Sequence, residues 1–151
     1  MTVLDVQDIL DEMARIPGFE AGAVNSASLE AIRRAYNGCG PERWPQELRD
    51  RLDAETALFA PSILVHDMDF DRSDGKEDSL HDANERMHRN NRRIFRFYYP
   101  LFSLMMLKPS YRLKRARALG VMVALNVATS DGLTRKAWLE SYDKRFASRE
   151  D

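Results

Sequence analysis

Apolar residues recur along this chain at helical spacing, and no stretch shows the alternation of a strand. Val6, Ile9, Leu10 and Met13 share a face, which predicts an amphipathic helix over Val3 to Ile16, stopped by Pro17-Gly18. Ser26 or Ser28 can cap a second helix, with Leu29, Ile32 and Tyr36 on one side and Gly38 placed to end it. Next comes a loop rich in glycine, Asn37-Gly38-Cys39-Gly40-Pro41. A helix resumes over about Pro45 to Phe59, and Pro61 fits the first turn of the next, which runs to about Phe70. The polar run Asp71 to Asp78 reads as a loop, after which Asp78 or Ser79 can start a long helix through Glu85 and Arg93. Pro100 and Pro109 divide the chain beyond that helix. Tyr111 to Val127 and Leu133 to Phe146 complete the set, joined by a turn at Ser130-Asp131-Gly132. The expected fold class is therefore all-α, in one domain over residues 1–151.

Composition narrows the function classes. Hydrophobic residues make up 44% and charged residues 31%, enough for a core and too polar for a membrane protein. The formal net charge is −1, which argues against the whole molecule being a nucleic-acid binder. The amino terminus carries early acids and no apolar run, so it does not read as a signal peptide. No stretch is long and apolar enough to span a bilayer. Cys39 is the single cysteine, so no internal disulfide can form. A cytoplasmic or virion location suits such a chain.

Three segments carry candidate chemistry. They are the loop Tyr36 to Pro41, the pair His66-Asp67 with Phe70 on the helix after Pro61, and the helix Leu80 to Ile94. In this order they resemble the phospholipase A₂ superfamily, including its short prokaryotic, fungal and viral branches. There a glycine-rich loop precedes a helix with His-Asp-x-x-Tyr, and a later helix presents an Asp, often as Ala-Asp-x-x-Phe. The resemblance covers roughly Ala35 to Asn91 and leaves out both ends of the chain.

The resemblance implies a core of two antiparallel helices and a calcium-dependent hydrolysis of glycerophospholipid esters. It makes His66 the base that takes a proton from water. It makes Asp67 a calcium ligand, with backbone carbonyls around Asn37, Gly38, Cys39 and Gly40 supplying further oxygens. Calcium in such a site polarises the ester carbonyl. A residue on the later helix then orients His66, and Asp82 and Asn84 compete for that place. Leu80, Asn84, Met87, Asn91 and Ile94 form one stripe, whereas Asp82 shares a face with Glu85, Arg89 and Arg93. The two candidates stand roughly 200° apart at about 100° per residue. The apolar stripe should face the His66 helix, so Asn84 is the better match, aligning Ala83-Asn84-Glu85-Arg86-Met87 with the family pattern. The chain departs from that pattern elsewhere. Phe70 replaces tyrosine, and Ser62 and Ile63 occupy the places of the helix cysteines. Asparagine orients an imidazole but cannot stabilise imidazolium by charge. The resemblance thus supports either a hydrolase or a degraded scaffold with a structural or interaction role. Phage-encoded relatives make a virion or assembly partner natural.

Other readings compete. Asp67, Asp69, Asp71 and Ser73 alternate like the start of an EF-hand loop, but Arg72 stands where glycine is needed and Asp78 where glutamate would close it. A zinc site from His66, His81 and His88 lacks a cysteine pair. Arg86, Arg89, Arg92, Arg93 and Arg96 precede the apolar stretch Phe97 to Leu107, with Lys108, Arg112, Lys114, Arg115 and Arg117 after it. This reads first as a solvated face followed by a core helix. The functional alternative is contact with a membrane surface or an assembly partner.

Overall fold

The computed structural model describes residues 5–36, 45–130 and 132–147. Seven α-helices account for most of them: α1 Val6–Arg15, α2 Leu29–Ala35, α3 Gln46–Thr56, α4 Ala60–Asp71, α5 Glu77–Tyr98, α6 Pro109–Ser130 and α7 Gly132–Ala147. Short 3₁₀ turns occupy Gly22–Ser26, Ala57–Phe59 and Leu104–Leu107. No strand occurs among the described residues, so the fold is all-α.

Local chemistry sets the helix ends. The Asp5 side chain accepts from the Gln7 N–H at the start of α1, and the Ser28 hydroxyl accepts from the Ala31 N–H at the start of α2, each satisfying a donor the helix leaves over. Ser28, not Ser26, is thus the cap. Helix α2 ends at Ala35, and Gly38, expected to stop it, lies outside the described residues. The helix expected to run unbroken from Pro45 to Phe59 becomes α-helical only to Thr56. Pro61 has no N–H to give the Ala57 carbonyl, and the Ala60 N–H takes that carbonyl instead, tightening Ala57–Phe59 into a 3₁₀ turn.

The loop between α4 and α5 is shorter than the polar run suggests. Asp71 still belongs to α4, while Asp78 and Ser79 lie inside α5 and neither starts it. Asp74 organises the turn: its carboxylate accepts from the Lys76 N–H at 3.0 Å and from the Ser79 hydroxyl at 2.8 Å. Gly75 supplies the left-handed residue, at φ 73°, with a Cβ there coming within 3.1 Å of the Tyr142 ring.

Helix α4 is the hub. Ala60 to Val65, Met68 and Asp69 are all buried, so it is covered on nearly every side. Leu64, Val65 and Met68 pack with Val6, Ile9, Met13, Val24 and Ile32 from α1, the first 3₁₀ turn and α2. Phe59 and Ile63 pack on another side with Met87, Ile94, Phe95, Ala118 and Leu125 from α5 and α6. Trp138 of α7 closes a third cluster with Leu80 and Ala83, against Phe70. Helices α4 and α5 run antiparallel: Asp69 and His66, late in α4, meet Arg86 and Asn84 in the first half of α5, while Ser62, at the start of α4, meets Asn91 further along α5. No helix of the described residues is long and apolar enough to cross a membrane.

One expectation is overturned here. The stretch Phe97 to Leu107 does not form a core helix: α5 ends at Tyr98, and Leu101, Phe102, Leu104 and Leu107 are exposed. Pro100 and Pro109 interrupt helical bonding at both ends and leave only a 3₁₀ turn between them.

Candidate functional site

The stripe Leu80, Met87, Asn91 and Ile94 is buried against α4, with Asn84 half-buried on the same side. Periodicity alone therefore brings Asn84 under His66. His66 Nε2 stands 3.0 Å from Asn84 Oδ1. The amide oxygen can only accept, so Nε2 carries the proton, and Nδ1 of the neutral ring keeps its lone pair. Phe70, one turn along α4, tilts against the imidazole at 4.5 Å between ring centres, and Trp138 meets the Phe70 ring edge-on at 5.0 Å.

This packing fixes the ring and leaves it half-buried. Burial lowers the pKa of His66 to about 4, a shift that the Asn84 bond opposes only in part and that His88 reinforces. The ring is neutral at pH 7. A proton taken up at Nδ1 would create an imidazolium among rings and an amide, with no carboxylate on Nε2.

Asp82, the competing orienter, is exposed. It lines a cleft of about 260 Å³ with Asp69, Asp74, Arg72, Arg86 and Trp138, and His66 does not reach that cleft. Asp67 is half-buried on α4 beside His66. The other proposed calcium ligands, Asn37, Gly38, Cys39 and Gly40, lie outside the described residues. Among the described residues, no three His, Cys, Asp or Glu side chains are gathered for a metal ion. The EF-hand-like reading fails on geometry. Asp67, Asp69 and Asp71 are helical, Asp69 is bound to Arg86, and the Ser73 hydroxyl is buried and donates to the Trp138 carbonyl at 3.1 Å.

Polar residues of α5 outside the His66–Asn84 pair tie the helix to its neighbours. Asn90 is fully buried and binds the Glu20 backbone at both ends of its amide. Its Oδ1 accepts from the Glu20 N–H and its Nδ2 donates to the Glu20 carbonyl, each at 2.9 Å. The Glu20 carboxylate in turn accepts from Arg89 and Arg93, and the Arg89 bond above all holds its pKa down to about 2. Asn91, also fully buried, accepts from the Ser62 hydroxyl and donates to Asn126 Oδ1 at 2.8 Å, so one amide ties α4, α5 and α6. His88 Nε2 lies 3.1 Å from the Asn126 carbonyl, which gives it a place in the α5–α6 contact. Asp69 pairs with Arg86 inside the fold, yet burial still raises its pKa against that pairing. The sequence signal for Asn90 and Asn91 was available. Two adjacent amides, one on the apolar stripe, sit where a core helix otherwise excludes polar groups.

No family model, curated protein or solved structure matches this chain.

Proposed function

We propose that this chain is a phospholipase A₂-like helical scaffold whose hydrolytic site has been reduced to a His–amide pair, and that it works as an interaction protein. The observation that carries the reading is Asn84 at 3.0 Å from His66, in the place where a hydrolase of this type needs a carboxylate. An amide holds the ring in the right tautomer but gives no charge to stabilise the imidazolium formed during turnover. In the serine hydrolase triad, the same change from aspartate to asparagine costs about 10⁴ in rate. Burial adds to this, since a base with a pKa near 4 has little drive to take a proton from water at neutral pH.

A weak calcium-dependent hydrolase is the second reading, favoured by the neutral His66 ring with Asp67 next to it on α4. Asp67 and the carbonyls of Asn37 to Gly40 would hold calcium, and calcium would polarise the ester carbonyl.

Asn84→Asp assayed on ester phospholipid vesicles with calcium separates the two. The expected result is no measurable hydrolysis by the native chain and a gain of rate in Asn84→Asp that His66→Ala removes. Native hydrolysis that His66→Ala abolishes would establish the hydrolase. Inactivity of both forms, with both folded, would remove the case for a catalytic ancestry and leave the pair as packing.

A further inference from the structure

The charges of this chain are segregated. From Arg86 to Ser130 stand ten Lys and Arg residues and no Asp or Glu, in a protein whose totals are 23 basic and 24 acidic. Four of those cations are committed to carboxylates elsewhere: Arg86 to Asp69, Arg89 and Arg93 to Glu20, and Arg117 to Glu55. Arg96, Lys108, Arg112 and Lys114 are exposed and form no ion pair among the described residues.

The same segment carries the most exposed large apolar side chains of the described residues. Phe102 is 102% exposed, Leu104 87%, Leu107 82%, Leu113 72% and Leu101 67%. The first four of these in chain order, Leu101 to Leu107, sit on a knuckle between two 22-residue helices, α5 and α6, and Leu113 follows at the start of α6. Leu104 and Leu107 are three apart on a 3₁₀ turn, so they share one face. Part of the knuckle's backbone is satisfied within itself. The Met105 N–H donates to the Ser103 hydroxyl at 3.2 Å, and those of Met106 and Lys108 donate to the Ser103 and Met105 carbonyls at 2.9 Å. It can therefore enter an apolar medium without stranding those polar groups.

We propose that the knuckle from Leu101 to Leu113 docks on an anionic lipid bilayer, with Phe102, Leu104 and Leu107 entering the acyl boundary. Arg96, Lys108, Arg112 and Lys114 then meet the headgroups. Near-complete exposure means these side chains project with almost no neighbours. A fluid bilayer accepts such a convex tip, whereas a protein partner would need a matching pit. Arg96, Lys108, Arg112 and Lys114 flank the tip with positive charge, which selects negative headgroups, each cation near the surface contributing roughly fivefold in affinity. The inference names the partner of the proposed interaction protein and rests on that reading, but it uses no residue of the His66–Asn84 pair.

The test is cosedimentation of the full chain with vesicles of ether-linked lipids, which offer no ester to hydrolyse, so binding is read apart from catalysis. Binding to phosphatidylglycerol-containing vesicles is expected to exceed binding to pure phosphatidylcholine at least tenfold and to weaken as salt rises. Phe102→Asp combined with Leu104→Asp, and separately Lys108→Glu combined with Arg112→Glu, should each cost at least tenfold. His66→Ala should bind normally. All four positions are exposed, and circular dichroism and thermal melting check that the variants fold. Absence of binding to anionic vesicles overturns the proposal. Loss in the charge variant alone overturns it too, leaving a general polyanion site. So does self-association in light scattering that Phe102→Asp abolishes while vesicles go unbound, which would make the knuckle a contact between copies of this chain.

Discussion

At the scale of single residues, burial governs the ionisation of His66. Its folded pKa of about 4 lies below the ordinary 6.5, so the unfolded chain binds a proton that the folded chain refuses. The stability it contributes is full above pH 6.5 and is lost as pH falls from there toward 4. Glu20 acts in a lower window. Its folded pKa of about 2 lies below the ordinary 4.5, so its contribution is present above pH 4.5 and fades between 4.5 and 2. Acid should therefore weaken the protein in two successive steps. Melting temperature measured against pH is expected to fall first between pH 6.5 and 4, and this first phase should disappear in His66→Gln while the second remains. An NMR titration of the His66 ring with a midpoint near 6.5 would contradict the burial of the imidazole.

At the scale of elements, α5 is held by amides as much as by its apolar stripe. Asn90 imitates a peptide bond for Glu20, whose backbone crosses α5 without forming secondary structure of its own. Replacing Asn90 with Ala leaves a donor and an acceptor of Glu20 unpaired at a buried site. The expected cost is about 2–4 kcal/mol in chemical denaturation. Gln in its place should also destabilise, because the longer side chain cannot present the same pair of atoms. A cost for Asn90→Ala no larger than that of an exposed helix position would show that water replaces the amide freely.

At the scale of the whole molecule, α7 completes a core that α4 and α5 leave open. Trp138 is 3% exposed, packed on Leu80, Ala83 and Phe70, and its indole N–H meets no acceptor among the described residues. Its contribution is therefore one of shape and apolar area. Trp138→Ala should cost about 3–5 kcal/mol. Trp138→Phe, which removes the unpaired donor and keeps most of the ring, should cost distinctly less. The readout is denaturant unfolding followed by circular dichroism, and equal costs for the two variants would point to a polar role for the indole. Because the Phe70 ring lies between Trp138 and His66, Trp138→Ala should also move the His66 titration upward as water reaches the imidazole.

The sequence alone determined the helical class and the placing of Asn84 and Asp82 on different faces of α5. A regular 3.6-residue period converts position into direction without reference to the rest of the chain. It also showed the proline breaks at Pro61, Pro100 and Pro109, since a missing N–H acts locally. Tertiary structure alone decided the rest. The depth of His66 depends on Phe70 and on Trp138, which lies far along the chain, and no local period encodes that distance. Asn90 found Glu20 across the fold, and the apolar run after Tyr98, read locally as core, came out exposed. Whether an apolar residue is buried depends on which helix arrives to cover it. Here no described element covers Leu101, Phe102, Leu104 and Leu107, and they stay exposed.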